Sequence, residues 1–166
     1  MKRKSVMMKA HIGILAGLTL TLLGATSARA QQTQTNPGSA CQASGSTQDL
    51  YYSGVTVANR TASQSSAICP IARRNGTQGW AAIAVFVRDR HSTENVTCVA
   101  QAKDLTGAAG GWSETKSSSG EGEQTLVFGP AVGAPLYGPY TIVCSIPAME
   151  EANVPSYISS YVVVEP

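Results

Sequence analysis

Few residues in this chain are of a type that does chemistry, and their spacing limits what that chemistry could be. His91 is the single histidine beyond residue 30, within Arg88-Asp89-Arg90-His91-Ser92-Thr93-Glu94. Flanked by carboxylates, it could act as a general base, with Ser92 or a distant hydroxyl as nucleophile. Asp89 and His91 two residues apart do not define a triad, whose members meet in space rather than in sequence. No Gly-x-Ser-x-Gly elbow occurs. The segment reads more simply as a solvated hairpin loop of mixed charge.

Calcium needs several carboxylates converging through one loop. Asp89 and Glu94 share one segment, Glu121 and Glu123 another, and Asp49 and Asp104 stand alone. These read as scattered solubilising charge, so no metal site is assigned and no cofactor motif is present. Three tripeptides, beginning at Asn59, Asn75 and Asn95, fit the N-glycosylation acceptor pattern. In a chain rich in Thr, such matches arise by chance.

The four cysteines, Cys41, Cys69, Cys98 and Cys144, are separated by 28, 29 and 46 residues. Zinc ligands usually come in pairs two to four residues apart, and no Cys-x-x-Cys redox motif is present. An even count in an exported chain points to two disulfides. The aromatic residues able to form a ligand surface are mostly tyrosines, with Trp80 and Trp112. Trp112 follows a Gly-Gly pair where a loop becomes a strand. Trp112 and Tyr137, with the Gly/Pro-rich loop 129–139, form the candidate ligand surface, because exposed Trp and Tyr suit sugars and peptides.

The elements that hold these residues begin with an export signal. Lys2, Arg3, Lys4 and Lys9 precede an uncharged, mostly apolar run at 12–25, and Ala28-Arg29-Ala30 supplies the small residues a signal peptidase reads. Residues 1–30 are therefore expected to be a signal peptide cleaved after Ala30. The run is too short and too interrupted by Gly and Thr for a spanning helix. The expected location is secreted or periplasmic, with no membrane span after cleavage. The segment 1–30 holds five of the twelve basic residues and none of the ten acids, so residues 31–166 carry seven basic and ten acidic residues, net −3. A nucleic-acid partner is not expected, because such binding needs a basic surface that displaces counterions.

Residues 31–49 are small and polar, which predicts a flexible leader pinned to the body by a cysteine. Residues 50–166 form one domain. Candidate strands are 50–58, 66–71, 80–88, 95–103, 111–117, 123–128, 138–146 and 157–164, separated by turn residues such as Asn75-Gly76. The expected fold is all-β: a single antiparallel sandwich of about seven to eight strands with two disulfides. The stretch 148–152 could form one helical turn.

Alternation of residue types assigns faces to the strands. Val96, Cys98, Ala100 and Ala102 share one face, and Tyr140, Ile142, Cys144 and Ile146 share another. That favours a Cys98–Cys144 bridge and leaves Cys41–Cys69 to tether the leader, although four cysteines admit three pairings. The stretch 80–87 is apolar on both faces, which marks it as the most central strand, with Ile83, Val85 and Val87 lining the core.

The segments AICPIARRNGTQGW, VFVRDRHSTENVTCVAQAKD, YTIVCSIP and ISSYVVVE, taken in order, resemble small exported bacterial β-sandwich proteins of unassigned function. The resemblance spans roughly 50–165 and implies a secreted sandwich, without a mechanism. The leading functional expectation is a non-enzymatic binding or structural module of the periplasm or cell surface, taking an extracellular glycan or protein ligand. Two alternatives are a small secreted hydrolase using His91, and a pilus- or coat-type subunit that exchanges its leader or closing strand between chains.

Overall fold

The computed structural model describes residues 31–45, 50–74, 76, 78–106, 111–135 and 137–166. The expected signal peptide lies outside the described residues, as does Asn75 of the expected Asn-Gly turn. Among the described residues, no helix is long and apolar enough to cross a membrane.

Among the described residues, eleven strands form two antiparallel sheets: β1 Gln32–Pro37, β2 Gln42–Ala43, β3 Leu50–Ser53, β4 Thr56–Asn59, β5 Ser65–Ile71, β6 Ala82–Asp89, β7 Thr97–Ala102, β8 Trp112–Ser117, β9 Gly122–Phe128, β10 Tyr140–Ile146 and β11 Tyr157–Glu165. Sheet A runs β3-β4-β11-β6-β9, with β1 also paired to β11, and sheet B runs β2-β5-β10-β7-β8. The expected all-β sandwich is the observed fold. Its core comes from period-two alternation. Ile83, Val85 and Val87 on β6, Leu126 and Phe128 on β9, and Ile158, Tyr161 and Val163 on β11 are buried, as are Ala67 and Cys69 on β5 and the expected faces of β7 and β10. Each large apolar side chain buried this way contributes roughly 1.5–3 kcal/mol.

Three expectations need correction. The strand expected over 50–58 is a hairpin, because Gly54 takes a left-handed turn at φ 57°. The leader is not loose where it is described: Gln32–Pro37 pairs residue for residue with β11, and Gln42–Ala43 pairs with β5. A backbone ladder needs no apolar side chains, so a polar stretch at a sheet edge escapes a reading based on hydrophobicity. These two strands and the split hairpin raise the count from about eight to eleven. Finally, the segment 148–152 makes no helical turn; Glu151 and Val154 form an isolated bridge instead.

The disulfides are Cys41–Cys69 and Cys98–Cys144, as the face argument favours. Cys98 and Cys144 are direct cross-strand partners of β7 and β10. Cys41 lies one residue before Gln42, which pairs with Ile68, so Cys41 faces Cys69. The bridges therefore staple neighbouring strands of sheet B from its buried face, with Cα–Cα distances of 3.9 and 4.0 Å. Each contributes roughly 2–4 kcal/mol.

The sandwich has two ends. The described residues of 72–74, 76, 78–81, 103–106, 111, 129–135 and 137–139 meet at one, called the aromatic end. The segments 60–64, 90–96, 118–121 and 147–156 meet at the other, called the hub end.

Candidate functional site

The hub end gathers the residues whose types promised chemistry and ties them into structure. Asp89, at the last position of β6, is fully buried. Its Oδ1 accepts from the His91 N–H at 3.0 Å and the Ser156 hydroxyl at 3.2 Å. Its Oδ2 accepts from the Val96 N–H at 3.1 Å and the Ser118 hydroxyl at 2.5 Å. A buried carboxylate persists only when its lone pairs are met in this way. Asp89 thus holds the backbone of His91, not its ring. The imidazole Nδ1 accepts from the backbone N–H of Glu94 at 2.9 Å and of Thr93 at 3.3 Å. Its base nitrogen is therefore occupied in capping the loop. Ser92 donates its N–H and its hydroxyl to Glu150, both at 2.7 Å. These bonds hold the Glu150 carboxyl below its ordinary range, first through the N–H, then the hydroxyl, with partial burial opposing and His91 assisting. His91, Ser92 and Asp89 lie together but are not aligned as a catalytic relay.

Asn59 anchors the same end. Its side-chain amide donates to the carbonyls of Ser63, Ile146 and Pro147, and its Oδ1 accepts from Thr61 and Ser65. Fully buried, it is closed to glycosylation in the folded protein. Asn95 is exposed, and its Oδ1 accepts from the Gly120 N–H.

The aromatic end holds Trp112 and Tyr137, the two residues expected from sequence to form a ligand surface. Trp80 is buried and donates its indole N–H to the Gly129 carbonyl at 2.9 Å. Trp112 and Tyr140 meet Trp80 edge to face, with centroids 4.8 and 4.9 Å away. Trp112 is half-buried against this cluster, so it acts partly as packing. Arg73 lies over the Tyr140 ring. Burial pushes the Tyr140 phenol up, with Arg73 pulling it down and Glu165 pushing it up. Tyr137 is exposed, and its N–H bonds the Gly76 carbonyl. No contact joins the rings of Trp112 and Tyr137 among the described contacts.

The outer face of sheet A carries a shallow groove of about 430 Å³, which sequence reasoning missed. It is lined by Phe86, Arg88, Glu123, Thr125, Tyr157, Ser159 and Ser160, together with Val87 and Gln124. Strand register builds it. Tyr157, Arg88 and Glu123 face one another across β11, β6 and β9, and Ser160, Phe86 and Thr125 form the adjacent row. Same-face rows are two residues apart, about 6.6–6.8 Å along the strand. Arg88 pairs with Glu123 at 3.2 Å. The register of β11 shifts between Ile158 and Ser160, and Ser159 there donates its hydroxyl to the Phe86 carbonyl. Bulges of this kind re-aim side chains at functional positions.

The groove also corrects the reading of 80–87. The central strand of sheet A is β11, whereas β6 lies between it and the edge strand β9. Its second apolar face is turned to solvent: Phe86 is 37% exposed, and Val127 beside that row 56%. Apolar residues on both faces, followed by Arg-Asp, were the available signal.

No protein-family model matches the chain, and no curated protein matches it. Among solved structures it is similar to the carbohydrate-binding module CBM36 in complex with calcium and xylotriose: 11% identity, TM-score 0.44, covering 80% of this chain and 99% of that one. It is also similar to CsCBM6-3 from Clostridium stercorarium in complex with cellobiose, at 12% identity and TM-score 0.44, covering 80% and 94%. A family 11 carbohydrate-binding module from Clostridium thermocellum, in complex with a mixed-linked tetrasaccharide, gives 10% identity and TM-score 0.40, covering 81% and 88%. Likenesses of this depth assign neither a family nor a ligand.

Proposed function

We propose that this protein is an exported, non-enzymatic binding module, and that the groove on the outer face of sheet A takes an extended, hydroxyl-rich ligand such as a glycan segment. The observation that carries the reading is the adjacency of two rows: Phe86 with Ser160 and Thr125, beside Tyr157 with Arg88 and Glu123. An aromatic ring supplies a flat apolar face for the C–H side of a sugar. Charged and hydroxyl side chains next to it supply donors and acceptors for hydroxyls. The open, shallow shape suits a chain lying across the strands better than a small molecule enclosed in a pocket. Export belongs to the same proposal: residues 1–30 direct it, and the two bridges form in an oxidising compartment.

Titrating isotope-labelled protein with soluble xylan, mixed-linked β-glucan and cello-oligosaccharides, and following amide shifts, tests the reading. Shifts concentrated at Phe86, Arg88, Glu123, Thr125 and 157–160 support it. Shifts confined to 90–96, or none with any glycan, would sink it.

A further inference from the structure

The aromatic end presents a second surface, separate from the groove, and we infer that it docks onto an anionic lipid surface. Leu105, Val132 and Tyr137 are 74%, 77% and 62% exposed. All three sit on segments that meet at this end. The Lys103 N–H bonds the Pro139 carbonyl, and a Cβ on Gly138 would lie 1.6 Å from the Lys103 carbonyl oxygen, so the segments 103–106 and 137–139 run in direct contact. The Tyr137 ring lies over Gly76, where an added Cβ would come within 3.0 Å of it. Tyr137 holds this place at φ 62°, a left-handed conformation that bulky residues rarely adopt and that recurs at functional positions.

Charge at this end complements the apolar tips. Lys103 and Arg74 are exposed beside them. Of the acids here, Glu165 is buried and accepts from the Arg74 N–H, and half-buried Asp104 accepts from the Thr106 N–H and hydroxyl. The hub end exposes Glu94, Glu121, Glu150 and Glu151 against Arg60, with Arg90 half-buried. The net −3 of residues 31–166 therefore conceals an axis with its positive pole at the apolar tips. Apolar side chains on separate loop tips, backed by cations, fit a headgroup layer, where each cation adds attraction to anionic lipid.

The test is vesicle flotation of protein exported and processed by cells, its N-terminus read by mass spectrometry. Native protein should float with phosphatidylcholine vesicles containing phosphatidylglycerol, and weakly with phosphatidylcholine alone. Partitioning should fall about tenfold or more in the Lys103→Glu/Arg74→Glu double variant and in Leu105→Asp/Val132→Asp. It should be unchanged in Phe86→Ala, which keeps this result separate from the fate of the groove. All these side chains are exposed or partly so, and unchanged melting would show that the variants fold. The inference is overturned if native protein does not float with either vesicle, or if both double variants float as well as native. It is equally overturned if light scattering shows a dimer that both double variants abolish, which would assign the surface to a second copy of the chain.

Discussion

The hub end and the outer face of sheet A divide the molecule's resources in opposite ways. The hub end holds the residues most often found in active sites, and their polar atoms are committed to one another: Asp89 to N–H and hydroxyl donors, Asn59 to carbonyls, and the His91 ring to its own loop. The sheet face holds ordinary strand residues, yet Phe86, Tyr157, Arg88 and Glu123 line an open groove. Under the proposed reading, residue type alone therefore misplaces function here. What distinguishes a site is whether side chains still have surface and valence to offer a ligand. At the hub, the same polar chemistry closes a sandwich end that would otherwise expose loop backbone.

The sharpest way to break this contrast is Asp89→Ala. It removes the acceptor of the His91 N–H and of the Ser118 and Ser156 hydroxyls, leaves the Val96 N–H only the Ser118 hydroxyl oxygen, and should cost about 3–5 kcal/mol in urea unfolding. A loss below about 1 kcal/mol would mean that the hub is not structural. Asn59→Ala, which strands the Ile146 and Pro147 carbonyls, should follow at about 2–4 kcal/mol by the same measurement.

On the sheet face the signs reverse. Phe86→Ala or Tyr157→Ala should leave unfolding within about 1 kcal/mol of native. Each should weaken glycan affinity about tenfold, equivalent to ~1.4 kcal/mol. A large stability loss without a binding loss would turn the groove into packing.

Acid should loosen the hub selectively. The Glu150 carboxyl is held below its ordinary range in the folded state. The stability it lends is therefore present above the unfolded-state value and is lost as pH falls through the depressed folded value. The protection of the Ser92 amide, measured against its intrinsic exchange rate at each pH, should fall on acidification below the usual carboxylate range, and Glu150→Gln should remove that dependence. The smallest effect is expected from His91→Ala. It frees the N–H groups of Thr93 and Glu94, which lie in exposed residues, and should cost under about 1 kcal/mol while leaving binding untouched.

Much of this was legible in the chain. Alternation in 95–103 and 138–146 placed Cys98 and Cys144 on the buried face, and the bridge followed. β1 was not legible, because its stabilisation is a backbone ladder to Val162, Val163 and Val164 rather than a hydrophobic pattern of its own. The groove was half legible. The two-faced apolar run around Phe86 was visible, but an exposed apolar face and a doubly buried strand look alike until the neighbouring sheet is placed. Asp89 as a hub could not be read, since its partners Ser118 and Ser156 are distant in sequence.

The central claim is that binding belongs to the face of sheet A and not to the His91 loop. Affinity electrophoresis of native protein, Phe86→Ala and His91→Ala through gels containing the soluble glycans tests it directly. The account predicts that native and His91→Ala are retarded equally by at least one glycan and that Phe86→Ala runs free. Retardation that survives Phe86→Ala but is lost in His91→Ala would contradict it.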